Sequence, residues 1–113
     1  MKAKDLKNIL IPLELGDKTY KIAFDFNAMA ELDDVYGDFN KAIKAINGNN
    51  GKLKAIRALV YSAIKPRYEE ITLIKVGELL TPIMTDDDMA NYLMTQLTKA
   101  IELAMPNQED MGE

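Results

Sequence analysis

A chain of 113 residues, 48% apolar and with a net charge of −4, fits one ordinary globular domain able to bury about two thirds of its unfolded surface. It has neither Cys nor His, which removes disulfides, thiolate nucleophiles, imidazole bases and the usual zinc ligands. The acidic balance gives no broad attraction to nucleic acid, the charged N-terminus MKAKDLKN lacks the ~7–15-residue apolar run of a signal peptide, and nothing later approaches the ~20 apolar residues of a membrane span. A soluble, intracellular protein with neither nucleic-acid nor membrane partners is expected.

The first element is a hairpin over about 9–24, ILIPLELGDKTYKIAF. A two-residue loop at Gly16-Asp17, with glycine free to take φ > 0, pairs Leu15 with Lys18. Going outward, Leu13 then faces Tyr20, Ile11 faces Ile22 and Ile9 faces Phe24 on an apolar face. Glu14/Thr19, Pro12/Lys21 and Leu10/Ala23 fall on a mixed one. Pro12 lands at a non-hydrogen-bonded pair, so its missing N–H costs the hairpin nothing and blunts the outer edge of the first strand. The edge expected to stay open is Thr19 to Phe24, which marks Thr19, Lys21 and Ala23 as candidate protein-binding residues. A lone hairpin is marginal in water, so helices or another chain must cover its apolar face.

Asp25 or Asn27 can cap a first helix over 28–36, with Met29, Leu32 and Tyr36 at helical spacing and Gly37 as its stop. A second helix is expected over 39–46, followed by a loop at Asn47 to Gly51. A third, over 52–64, puts Leu53, Ile56, Leu59, Val60, Ala63 and Ile64 on an arc of about 140°, and Pro66 ends it. Thr72 caps a fourth over 73–80, which Pro82 closes. The last helix, 86–105, begins with Thr85 and Asp88 in an acidic variant of the capping box, and Asp86, Asp87 and Asp88 suit the helix dipole. Its apolar residues sweep about 220°, interrupted only by Gln96, so this helix is either central in its own fold or shared with a partner. Met94 and Met105 lie at one margin of that arc and Tyr92 at the other, the positions best placed to meet a partner. An acidic tail, 106–113, is expected to be disordered. The fold class is therefore α+β and mainly α-helical, a two-stranded antiparallel hairpin followed by about five helices in one domain, 1–105.

Motifs for chemistry are weak. Gly48-Asn49-Asn50-Gly51-Lys52 looks like a phosphate loop in passing, but it is too short, and Leu53 replaces the Ser/Thr. Glu31, Asp33, Asp34 and Asp38 fit no calcium loop and read as a solvated acidic face. Lys52, Lys54, Arg57, Lys65 and Arg67 concentrate positive charge around the third helix, and without interleaved aromatics they suit an acidic protein surface better than bases. Ser62 is the only serine and has no activating neighbour. No catalytic residue, cofactor site or metal site is assigned, and an enzyme is not expected.

The hairpin closing on FDFNAMAELDDVYG at 24–37, the helix KLKAIRALVYSAI at 52–64 and ITLIKVGELL at 71–80 occur in one order. That order resembles the small tail assembly chaperones of long-tailed phages and prophages of Gram-positive bacteria: a strand pair ending in a Phe-Asp-x-Asn turn, a helix ending in Tyr-Gly, an Ile-Arg helix, then Leu-Thr-x-x-x-Val-Gly. Here Ile71-Thr72 stands for Leu-Thr, and Lys75 occupies the capping-box acid position, which weakens that cap. The resemblance implies a non-enzymatic chaperone that binds the tape measure protein, keeps it soluble and helps recruit the tail tube protein. It further implies a protein made in the host bacterial cytoplasm and not expected in the mature virion, with a possible homo-oligomer. A small structural tail or connector protein retained in the virion, and a DNA-binding phage regulator, are the competing readings.

Overall fold

The computed structural model describes residues 9–48 and 50–105. Two antiparallel strands, β1 (Ile11–Leu15) and β2 (Lys18–Ile22), precede five helices: α1 (Phe26–Val35), α2 (Phe39–Ile46), α3 (Lys52–Ile64), α4 (Leu73–Met84) and α5 (Asp87–Ala104). This is the expected α+β, mainly α arrangement. The tail at 106–113 lies outside the described residues.

The hairpin register is the one read from its turn, from Leu15↔Lys18 out to Ile11↔Ile22. Gly16 takes φ 67° and no described non-glycine residue has positive φ, the pattern of a turn whose first central position needs glycine. Pairing stops at Ile11↔Ile22, so the expected pairs Leu10/Ala23 and Ile9/Phe24 do not form as strand. Phe24 instead turns into the core, its ring 5.4 Å from that of Phe39, and Asp25 begins to cap α1. Leu13, Leu15, Tyr20 and Ile22 are buried beneath α3 and α5, which supply the cover a two-stranded hairpin requires.

The central helix is α3. It touches α1, α2, α4 and β2, and Ala55, Ile56, Ala58, Leu59, Val60, Ser62, Ala63 and Ile64 are all buried. Small residues let its neighbours approach on several sides, so the single buried arc expected for this helix was too narrow. Leu53, placed on that arc by its spacing, is 69% exposed because it sits in the first turn, before the neighbouring helices close over α3.

Helix ends follow local chemistry. Asp25, Asp38, Thr72 and Asp86 each accept a backbone N–H at about one hydrogen-bond length, 2.9–3.0 Å. Two expectations are corrected at the α4–α5 junction. Pro82 does not close α4, which runs through it to Met84. Its ring costs the bond to the Glu78 carbonyl, but Pro82 and Glu78 both face solvent, where water can serve that carbonyl, and buried Leu80 and Ile83 hold the turn in place. Thr85 does not cap α5 either; its hydroxyl donates to the Pro82 carbonyl at 2.9 Å and finishes α4, leaving Asp86 as the cap.

Candidate binding groove

The hairpin edges are closed by side chains. On β1, the Tyr92 hydroxyl accepts the Glu14 N–H at 3.1 Å, and Gln96 Nε2 donates to the Pro12 carbonyl at 2.7 Å. Both residues come from α5, and Gln96, the interruption in its apolar arc, is buried for this purpose. On β2, the Tyr68 hydroxyl accepts the Lys21 N–H at 3.1 Å, while the Tyr20 and Tyr68 rings meet edge to face at 5.0 Å with the Lys18 ammonium over both. The edge expected to stay open, Thr19 to Phe24, is thus partly occupied, and strand addition there would have to displace Tyr68.

The candidate residues separate. Thr19 and Lys21 are exposed on β2, Tyr92 is 37% exposed with its hydroxyl engaged by β1, and Met94 is half-buried against the core. Met105 is half-buried just past the end of α5. Most of the wide apolar arc of α5 is consumed internally, by Leu93, Leu97 and Ala100 in the core and by Met94, Ile101 and Ala104 packed on it.

Ala23 lines a concavity at the open end of the hairpin. It lies where the strand ladder stops at Ile11↔Ile22, and its lining comes from Ile9, Ile11, Ala23 and Phe24 at that end of the hairpin and from Ala100, Leu103 and Ala104 near the end of α5. The result is an open, mainly apolar groove of about 510 Å³. Phe26, the first residue of α1, stands at its lip 85% exposed. Sequence reading missed Phe26. No local signal marked it: Phe24 precedes the cap Asp25 and lies outside α1, so helical spacing does not decide which of the two rings turns into the core.

Among the described residues Asp25 is the only charged one lining the groove, and it is doubly engaged. One carboxylate oxygen accepts the Ala28 N–H at 3.0 Å and the other pairs with Arg67 at 2.5 Å. One member of the basic cluster thus ties the turn after α3 to the hairpin–helix junction. No family model, curated protein or solved structure matches this chain. The groove's chemistry therefore has to be read from its own walls, which offer apolar contact and one neutral amide, Asn27.

Elsewhere, no three His, Cys, Asp or Glu side chains gather as a metal-ligand group among the described residues, and no described helix is long and apolar enough to cross a membrane. Ser62 is fully buried in α3. Tyr61, on the same helix, has its phenol pushed above the ordinary range, first by burial and then by the nearby Glu31 and Asp34 carboxylates of α1.

Proposed function

We propose that this protein is a non-enzymatic tail assembly chaperone that holds an apolar helical client, the tape measure protein, in the groove beside Phe26. The observation that carries the reading is the open apolar groove of about 510 Å³ with an exposed phenylalanine at its lip. Helix-in-groove recognition lays the apolar face of a client helix into such a groove, and an exposed phenylalanine beside it adds apolar contact area. The order of motifs around Phe24-Asp25-Phe26-Asn27, Ile56-Arg57 and Thr72 to Gly77 supplies the family resemblance. In this reading the chaperone works in the host bacterial cytoplasm, helps recruit the tail tube protein, and leaves before the virion matures. The net charge of −4 per copy helps keep a coated client soluble.

Co-expression with the tape measure product encoded by the adjacent gene tests this. The wild-type chain is expected to move that product from the pellet to the soluble fraction, and Phe26→Ser to do so poorly. Absence of any rescue by the wild type overturns the reading, as does finding stoichiometric copies in purified virions by mass spectrometry.

A further inference from the structure

We propose that a second cleft, at the turn end of the hairpin, takes an arginine side chain from a segment of a protein partner. Glu14 and Gly16 of the hairpin, Ile83 of α4, and Asp88, Met89 and Tyr92 of α5 line this cleft, which holds about 260 Å³. That is below the roughly 300–1,000 Å³ of a pocket for a whole small ligand and suits one long side chain. Both ends of the described chain are remote from it: Ile9 lies about 23 Å back along the hairpin, and Ala104 about 25 Å along α5.

The lining divides by chemistry. Ile83 is buried and gives an apolar floor, whereas Met89 and Tyr92 are 43% and 37% exposed. The Tyr92 hydroxyl accepts the Glu14 N–H at 3.1 Å, which fixes the ring as a wall of the cleft. A thioether adapts to what lies against it, and an aromatic face attracts a cation.

Charge selects the occupant. Both charged lining residues, Glu14 and Asp88, carry carboxylates, and the one ion pair among the described residues, Arg67 with Asp25, involves neither. Asp86 and Asp87 precede Asp88, and Asp17 stands in the hairpin turn, so the surroundings have the same sign. The positive end of the α5 dipole offsets only about half a charge of these. Lys18 is engaged elsewhere, over the Tyr20 and Tyr68 rings. A metal ion is a poorer occupant, because no three carboxylates gather among the described residues, and a phosphate would meet its own sign. Arginine is favoured over lysine: its planar guanidinium can lie on the Tyr92 ring while its N–H donors reach the carboxylates, and its alkyl stem packs on Ile83 and Met89. The cleft shares no lining residue with the groove beside Phe26, so the two sites can fail independently.

Nuclear magnetic resonance titration of the isotope-labelled full chain with the capped peptide Ala-Leu-Arg-Leu-Ala tests this, with citrulline as the uncharged match for arginine and lysine as the charged one. Amide shifts should centre on Gly16, Met89 and Tyr92, with a dissociation constant on the order of 0.1–3 mM for a single anchored side chain. The citrulline peptide should bind about tenfold more weakly, as two exposed ion pairs at about two- to fivefold each require, and the lysine peptide should fall between. Glu14→Gln combined with Asp88→Asn should weaken the arginine peptide by about tenfold and leave the citrulline peptide unchanged, a coupling that damage to the fold would not produce. Phe26→Ser should alter neither. Citrulline or lysine binding as tightly as arginine, a charge-removed variant that binds like the wild type, shifts confined to other surfaces, or no shifts at several millimolar peptide would each overturn the proposal.

Discussion

Replacing Gln96 with glutamate isolates the contact that closes the β1 edge. In the native protein the buried amide donates to the Pro12 carbonyl at 2.7 Å. An ionised carboxylate of the same size has no proton to give and sets oxygen against oxygen in a buried position, so the folded state must keep the new carboxyl protonated. Its folded-state pKa is then raised above the unfolded value of about 4.3. The linkage sign follows: the variant is close to wild type below about pH 4.3, where the carboxyl donates as the amide did, and loses stability as pH rises. If the group stays protonated to neutrality, the loss at pH 7 is about 1.36 kcal/mol for each of roughly 2.7 pH units, or about 3–4 kcal/mol. That is a large share of the 5–15 kcal/mol typical of a folded domain. Gln96→Leu, which loses the bond without adding charge, should cost only about 1–2 kcal/mol at either pH. Urea unfolding followed by far-ultraviolet circular dichroism at pH 4 and pH 7, each variant referred to wild type at the same pH, reads these differences. A glutamate variant as stable as wild type at pH 7, or one whose deficit does not grow between the two pH values, would show that the edge is not closed in this way.

Pro82→Ala should stabilise the protein by about 2–2.6 kcal/mol, since proline costs about 3 kcal/mol in a helix interior and returns about 0.4–1 through the unfolded state; a urea midpoint that fails to rise contradicts the account of α4. Asp25→Ala removes both the α1 cap and the partner of Arg67 and should cost about 1.5–3 kcal/mol, whereas Asp25→Asn keeps a capping oxygen and should cost no more than about 1. Equal thermal shifts for the two would separate the cap from the stability it is credited with. Tyr61, with its folded-state pKa raised above the ordinary 10.0, contributes stability that is complete below that value and lost as pH rises toward the folded-state pKa. Tyr61→Phe should therefore flatten the decline of the unfolding midpoint between about pH 9.5 and 11, and a decline as steep as the wild type's would contradict it.

Much of this architecture could be read locally. The hairpin register followed from one glycine and a two-residue loop, because a period of two leaves a strand no intermediate setting. The bounds of α2 and α3 matched to the residue, since Asp38 and Gly51 mark their starts and the periodicity ends cleanly. Misreadings arose where distant chain segments override a local rule. Pro82 looked like a stop because its cost is local, while the burial of Leu80 and Ile83 that offsets it is not. Ala55, Ala58 and Ser62 carry little hydrophobic signal, so the helix with the most neighbours resembled one with a single buried face. Gln96 looked like a flaw in an apolar arc; its purpose appears only when α5 lies along β1.

Turn chemistry, capping residues and hydrophobic period in the sequence determined that this chain makes a hairpin and five helices, because those signals act over a few residues. Only the tertiary structure decided which helix is central, which strand edges are closed by Tyr68, Tyr92 and Gln96, and where Phe26 is left standing beside an open groove. Those outcomes depend on contacts between residues as many as 84 positions apart, and no local pattern encodes which of them will meet.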